Sequence, residues 1–113
     1  MAKKNLLLEA TPYPVERATG KLGARLRTAR LRRNLTIEEV AAKIGTGRRA
    51  VMDAEKGKPS TSAAVYVALL WTYDMIEQLD AVADPAADHE YALIAISQSR
   101  QRARHSAGLS NDF

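Results

Sequence analysis

The sequence contains no cysteine, few aromatic residues and no long apolar run. Without cysteine the chain cannot form a disulfide scaffold, a thiolate metal site or a thiol nucleophile. Six glycines and four prolines in 113 residues provide too few turn residues for a turn-rich all-β fold. Aromatic residues make up only 5%, so the core must consist mainly of aliphatic side chains. No segment approaches the roughly 20 apolar residues of a transmembrane helix.

Signals for secretion and for catalysis are also missing. The apolar run Leu6-Leu7-Leu8 behind Lys3 and Lys4 is far too short for a signal peptide, so we expect a cytoplasmic protein with no membrane partner. The two histidines, His89 and His105, belong to no Ser-His-Asp set with supporting context. We therefore predict no enzyme activity, no cofactor and no metal site.

Charge is distributed unevenly along the chain. The net charge is +4, and this positive charge mildly favours anionic partners. Residues 17–58 carry 12 basic and 4 acidic side chains, whereas residues 59–99 carry six acidic side chains and no basic ones. This division predicts two surfaces with different tasks, and the basic one is typical of nucleic-acid binding. The alternative interpretation is an uneven, solvated surface of a small helical protein.

Apolar spacing and capping residues predict helices throughout the central part of the chain. We predict an N-terminal arm at 1–16, because Thr11-Pro12-Tyr13-Pro14 should block a helix, and a C-terminal extension with a polar tail at 84–113. Residues 86–99 fit either a helix or a strand, and the polar tail begins at Arg100. A helix-turn-helix domain is expected at 17–83, and its first helix begins slightly before that boundary. The five helices are predicted at about 15–34, 37–44, 47–56, 62–71 and 75–83.

The segment from Ile37 to Ala54 matches the physical demands of two short helices joined by a tight turn. Thr36 and Glu39 form a capping-box pattern, Ala41 is small enough for a close helix crossing, and Gly45 suits a turn with positive φ. Apolar residues that would lock the pair to the core follow at four positions: Val40, Ile44, Val51 and Ala54. Any helical hairpin with a glycine turn is the simpler alternative.

The string from Leu35 to Gly45, followed by Glu55-Lys56-Gly57-Lys58-Pro59, resembles the Cro/C1 (Xre) helix-turn-helix family. The resemblance implies an all-α, five-helix, lambda repressor-like domain that dimerises on two-fold operators. It also implies an ion pair between an arginine of the first helix and the glutamate that ends the recognition helix, here Arg30 and Glu55.

A narrower resemblance covers nearly the whole chain. The segments Pro12-Tyr13-Pro14-Val15, 21–27, 29–33, 55–57 and 79–85 are similar to HipB-like antitoxins, whose partners are HipA-like Ser/Thr kinase toxins. The resemblance implies an antitoxin that represses its own operon and neutralises such a kinase. In one respect the chain departs from the pattern, because Ser97-Gln98-Ser99-Arg100 stands where a Leu-Pro is expected before the arginine cluster. The alternative function is a stand-alone or phage-type transcriptional regulator without a toxin partner.

Candidate DNA contacts follow from how a recognition helix enters the major groove, with its N-terminal side chains at the base edges. Arg48 and Arg49 can pair with guanine, Met52 can touch a thymine methyl, and Asp53 can accept from cytosine or merely orient Arg49. Contacts to the DNA backbone, which position without reading sequence, are predicted at five residues: Thr36, Ile37, Gly47, Lys58 and Arg33.

The acidic half contains more bulky side chains than the end of a small domain needs. Some of them must seal the core, and the rest suit an interface, since tyrosine, tryptophan and methionine are enriched in interface cores. A homodimer on a palindromic operator, or contact with another protein, is therefore predicted for five residues: Tyr66, Trp71, Tyr73, Met75 and Ile76.

Overall fold

A computed structural model describes residues 5–109, with side chains through Arg104, and all regular structure in this part of the chain is helical. The all-α prediction is confirmed. Residues 1–4 of the predicted arm and 110–113 of the predicted tail lie outside the described residues. The helices are α1 (Leu6–Glu9), α2 (Tyr13–Arg32), α3 (Ile37–Ile44), α4 (Arg48–Glu55), α5 (Ala63–Thr72), two 3₁₀ helices (Ile76–Ala81 and Pro85–Ala87) and α6 (His89–Leu109).

Helix α2 begins at Tyr13, inside the segment that was expected to block a helix. Pro12 occupies the N-cap position, and Pro14 lies in the first turn. The expectation was wrong because the first turn of a helix leaves its N–H groups without intrahelical acceptors, so proline is tolerated there. The short helix α1 lies in the predicted arm, where the Asn5 side chain accepts a hydrogen bond from the Leu7 N–H.

Helix α6 resolves the ambiguity of residues 86–99 in favour of a helix and continues through the expected polar tail as far as Leu109. Asp88 precedes it and accepts a hydrogen bond from the Tyr91 N–H at 3.4 Å. The segment beyond Ile96 contains serine, glutamine, alanine and arginine without glycine or proline as far as Arg104. Polarity alone does not end a helix, because arginine and glutamine are good helix formers.

Residues with positive φ follow helices α2 to α5. Asn34 (φ 53°), Gly45 (φ 77°) and Gly57 (φ 69°) adopt the left-handed conformation at the ends where the sequence predicted stops. Asp74 was expected to cap the fifth helix, but it has a φ of 56° and lies two residues before the 3₁₀ helix that begins at Ile76. Asparagine and aspartate tolerate this conformation better than most residues do.

The described chain divides into two compact units, with the boundary between Glu77 and Gln78. The first unit holds the core, in which α2, α3, α4 and α5 converge. Side chains from all four helices are almost completely buried there: Leu26, Val40, Ala41, Val51, Ala54, Leu69 and Tyr73. In the second unit α6 packs against the 3₁₀ helix Pro85–Ala87.

A close backbone crossing joins α2 to the end of α4. A Cβ on Gly23 would lie only 2.7 Å from the Glu55 carbonyl oxygen and 2.7 Å from the Gly57 nitrogen. Gly57 in turn approaches Gly20 so closely that its own Cβ would lie 2.5 Å from the Gly20 Cα. Real Cβ atoms do not approach backbone this closely, so glycine at these positions sets the distance between the two helices.

Candidate nucleic-acid interface

Helix α3 begins with the capping box that the sequence predicted. The Thr36 hydroxyl accepts a hydrogen bond from the Glu39 N–H at 3.1 Å, and the Glu39 carboxylate accepts one from the Thr36 N–H at 3.1 Å. Two backbone donors at the helix start are thereby satisfied. The Thr36 N–H was a candidate donor to a DNA phosphate, but it is already bonded, whereas the Ile37 N–H, at the first position of the helix, has no intrahelical acceptor.

The turn between α3 and α4 is a Schellman motif at Gly45. The Gly45 N–H donates to the Ala42 carbonyl at 3.3 Å, and the Thr46 N–H donates to the Ala41 carbonyl at 3.0 Å. This pattern needs a left-handed residue at the first position after the helix, and Gly45 supplies it. The turn directs the chain into α4 after only the three residues 45–47.

The C-terminal end of α4 is anchored by a buried ion pair between Arg30 and Glu55. Arg30 Nε lies 2.6 Å from Glu55 Oε2, and the two side chains are only 9% and 6% exposed. A second guanidinium nitrogen donates to Glu55 Oε1 at 3.0 Å, and a third donates to the Leu35 carbonyl. The hydrogen bond to Glu55 raises the pKa of Arg30 above its ordinary value against the opposing effect of burial. The pair therefore ties α2, α4 and the loop before α3 into one frame.

The N-terminal end of α4 presents the two candidate base-reading arginines to solvent. Arg48 Nε lies 3.6 Å from Glu38 Oε1, with both side chains 62% exposed. Arg49 Nε lies 3.6 Å from Asp53 Oδ1, and the Arg49 side chain is 78% exposed. Such exposed pairs constrain a side chain weakly. Both guanidinium groups are consequently available to an incoming anion or base edge.

Asp53 lies between two of the predicted DNA-contacting cations. Its Oδ1 atom is 3.6 Å from Arg49 Nε and 3.2 Å from Lys58 Nζ, while the Asp53 side chain is 23% exposed. Two roles were predicted for Asp53, accepting from cytosine and orienting Arg49. The short distance to Arg49 fits the second role. The structure thus brings Arg49, Asp53 and Lys58 together in one cluster on α4 and the loop that follows it.

The remaining candidates on this side are backbone groups and one apolar side chain. Gly47 is the N-cap of α4 and forms no side-chain cap, so the first N–H groups of α4 have no intrahelical acceptor. Met52 is partly exposed one turn into α4. A helix start of this kind, with positive side chains beside it, favours a phosphate group.

Arg33, one of the predicted DNA-backbone contacts, also forms contacts within the fold. Its guanidinium group donates to the Ala29 carbonyl at 3.0 Å and to the Tyr73 carbonyl at 2.9 Å, and it lies over the Tyr73 ring at 5.5 Å from the ring centre. These contacts fix the end of α2 to the end of α5. Arg33 thus has a role in the fold, and because the residue is exposed its contact to the DNA backbone stays a prediction.

The structure also separates the five predicted interface residues. Tyr73 is 1% and Tyr66 is 9% exposed, and the Tyr66 hydroxyl donates to the Lys58 carbonyl, so both tyrosines are core residues and their assignment to an interface was wrong. Met75 and Ile76 are partly exposed. Trp71 is 52% exposed, with Lys43 Nζ 5.4 Å from the centre of its ring.

Sequence reasoning missed two features of this site. Glu38, which neighbours Arg48, looked like an ordinary first-turn acid of α3, and only the crossing of α3 and α4 brings the two side chains together. The close approach of Gly23 to the end of α4 was missed as well. Glycine inside an otherwise regular helix was the available signal, because glycine destabilises a helix interior unless packing requires it.

A short helix, a glycine turn and a second short helix with exposed arginines at its start form the helix-turn-helix of a DNA-binding regulator. A family model described as a helix-turn-helix domain matches residues 21–81. The match covers more than half of the chain, which therefore belongs to the helix-turn-helix domain family. Searches of curated proteins and of solved structures found no match. Among the described helices, none is long and apolar enough to cross a membrane.

Proposed function

We propose that this protein is a sequence-specific repressor that binds a two-fold DNA operator as a homodimer. The observation that carries the proposal is the contrast within α4, where Glu55 is held in a buried ion pair and Arg48 and Arg49 project into solvent at the opposite end. A recognition helix needs this combination, because a fixed frame must present free side chains to the major groove.

Base recognition is assigned to four residues of α4. Arg48 and Arg49 would each place a guanidinium fork against guanine O6 and N7, a pairing that discriminates by about 1–3 kcal/mol. Met52 would contact a thymine methyl. Asp53, which lies within 4 Å of Arg49 and Lys58, would hold Arg49 in place and accept from a cytosine amine where the sequence offers one.

Contacts to the DNA backbone are assigned to the helix starts and to Lys58. The N–H groups at Gly47 and Ile37 and the Thr36 hydroxyl would donate to phosphate oxygens on either side of the groove. Lys58, 42% exposed beside Asp53, would add a charge contact. These interactions set the register of the protein on DNA without selecting a sequence.

A homodimer would place two recognition helices about 34–36 Å apart, one turn of DNA. The surface proposed for this contact contains Trp71, Met75 and Ile76, the three predicted interface residues that are not buried. Tryptophan and methionine are enriched in interface cores, and a half-exposed tryptophan is a large apolar surface for a small domain.

The experiment for the base-reading role uses a duplex selected from a randomised library and a scrambled duplex of equal length. We expect Arg49→Ala to weaken binding to the selected duplex by about tenfold or more, the equivalent of 1–3 kcal/mol, and to reduce the preference over the scrambled duplex. Fluorescence anisotropy at fixed salt measures both. Arg27→Ala, which removes an exposed arginine of α2, is the matched control for charge alone. An equal loss of affinity on both duplexes would overturn base reading by Arg49.

We further propose that the repressor is the antitoxin of a type II toxin–antitoxin pair and neutralises a HipA-like Ser/Thr kinase. Support for this step comes from the resemblance of segments 12–15, 21–27, 29–33, 55–57 and 79–85 to HipB-like antitoxins and from the acidic block at 59–99, which follows the basic block along the chain. Co-expression with a kinase encoded by the adjacent reading frame should yield a complex that purifies as one species and restores growth. With no such gene and no rescue, the stand-alone regulator is the correct function.

A further inference from the structure

Helix α6 carries an exposed apolar stripe between ends of opposite charge. Leu93 is 72% and Ile96 is 49% exposed. With Arg100 they repeat at spacings of three and four residues, which places all three on one face of the helix. The same face continues along a shallow groove lined by Leu93, Ile96, Ser97, Arg100, Gln101 and Arg104.

The two ends of α6 carry opposite charges, acidic at its start and basic towards its C-terminus. Asp88 and Glu90 lie at its start, Asp84 caps the 3₁₀ helix that precedes it, and the basic residues Arg100, Arg102 and Arg104 follow the apolar stripe. All six side chains are exposed. A partner that matches this face must therefore be apolar in the middle, basic where α6 is acidic, and acidic where α6 is basic.

We propose that α6 pairs with α6 of a second copy of this chain in antiparallel orientation. When the two helices cross midway between Ile94 and Ala95, Leu93 of each copy meets Ile96 of the other. The same alignment brings Arg100 of each copy next to His89 and Glu90 of the other. An isologous interface needs this self-complementarity, in which residue i contacts j and j contacts i.

Parallel pairing of the same two helices is disfavoured by charge. It would place the three arginines of one copy beside those of the other, and the acidic residues likewise, and like charges brought together oppose association. Two apolar layers form a short seam, so the flanking charges decide the orientation. This surface belongs to the second unit, whereas Trp71 belongs to the first.

The absence of native cysteine allows a direct test in the full-length chain. A mixture of His89→Cys and Arg100→Cys chains should form a disulfide-linked dimer at least about tenfold faster than either variant alone. In the antiparallel pair, two residues at position 100 are about 11 residues apart along the axis, or roughly 16 Å at 1.5 Å per residue. Disulfides need Cα atoms within about 7 Å. Tyr91→Cys, away from the stripe, gives the background rate.

Adding Leu93→Asp to both chains of the mixture should lower the cross-linking rate at least about tenfold, whereas Tyr91→Asp, an equal change off the stripe, should leave it within about twofold. Circular dichroism confirms that the variants keep their helices. Cross-linking of Arg100→Cys with itself as fast as the mixture would overturn the antiparallel orientation. A mixture no faster than Tyr91→Cys would overturn the self-pairing of α6 and assign the stripe to another occupant. Neither result bears on DNA binding by α4.

Discussion

Each end of helix α4 carries an arginine–glutamate ion pair, but the pair at one end is buried and the pair at the other end is exposed. At its C-terminal end Glu55 pairs with Arg30, and both side chains are more than 90% buried. At its N-terminal end Arg48 pairs with Glu38 at 3.6 Å, and both side chains are 62% exposed. The ion pair at one end therefore fixes the helix to the core, and the arginine side chains at the other end are only loosely held.

Burial decides what each ion pair can do. Removing one partner of a buried pair leaves an uncompensated charge away from water, which destabilises a protein by about 3–5 kcal/mol. An exposed pair contributes about 0–1 kcal/mol, so its arginine can leave the carboxylate for DNA at little cost. Helix α4 is therefore held rigidly in position while its base-reading side chains stay free to move. The variants below test whether the buried and the exposed ion pairs differ in this way.

The largest effect is expected at the buried end. Glu55→Ala should lower the free energy of unfolding by about 3–5 kcal/mol, because the Arg30 guanidinium would keep only its hydrogen bond to the Leu35 carbonyl. Urea unfolding measures this change. The double variant Arg30→Met/Glu55→Leu should recover most of the loss, since apolar side chains of similar volume can replace a buried pair. A loss below about 1 kcal/mol for Glu55→Ala would contradict the anchoring role.

The buried hydroxyl of Tyr73, close to the Arg30–Glu55 pair, gives a second way to measure the effect of burial on a titratable group. Burial is the main cause that raises the Tyr73 pKa to about 12 from an ordinary value of 10.0, with Glu55 adding to the shift. The pKa of Tyr73 is higher in the folded state than in the unfolded state. The protein therefore keeps its full free energy of unfolding below pH 10 and loses part of it as the pH rises towards 12. The shift corresponds to about 2–3 kcal/mol at 1.36 kcal/mol per unit.

Urea unfolding between pH 9 and 12 should show this loss in the wild type and a smaller one in Tyr73→Phe. The Tyr73 hydroxyl is buried and has no hydrogen-bond partner among the described residues. Phenylalanine should therefore be neutral or slightly stabilising at pH 7, because it removes an unsatisfied polar group. Tyr66, whose pKa burial also raises, is present in both proteins, so the difference between them isolates Tyr73. Identical pH profiles would place the titrating group elsewhere.

Lys58 tests whether the exposed cluster around Asp53 contributes charge without sequence preference. Lys58→Ala should weaken binding to the selected and scrambled duplexes equally, and the slope of log K against log salt should become shallower by about 1. Anisotropy titrations at several salt concentrations measure that slope. Lys56→Ala is a neighbouring control for net charge. An unchanged slope would remove Lys58 from the contacts to the DNA backbone.

The local parts of this fold were predictable from the sequence, because their causes lie within a few residues. The Thr36–Glu39 capping box and the Gly45 turn depend on neighbours in the chain, and each has a recognisable residue pattern. The Arg30–Glu55 pair spans 25 residues, and it was expected only because the chain resembles a family in which such a pair occurs.

Tertiary packing determines which of these side chains are buried and which remain exposed, and the sequence pattern alone does not specify this. Tyr73 and Trp71 are both aromatic residues at the end of α5, yet one is 1% and the other 52% exposed. Arg33 belongs to a basic run that suggested DNA contact, but the end of α5 captures its guanidinium group. Such assignments depend on which residues face each other across helices, and no local pattern specifies that.

The smallest expected effect is at Glu38, on the exposed side of the comparison. Glu38→Gln should change the free energy of unfolding by less than about 0.5 kcal/mol, since the pair with Arg48 is exposed. Binding to the selected duplex should tighten about twofold, because Arg48 is released from its carboxylate and a negative charge near the phosphates is removed. Glu16→Gln, at the exposed start of α2, controls for net charge. The comparison with the scrambled duplex is decisive. A gain confined to the selected duplex means that Glu38 competes with a base for Arg48, whereas an equal gain on both duplexes means that Glu38 acts only as a repelling charge.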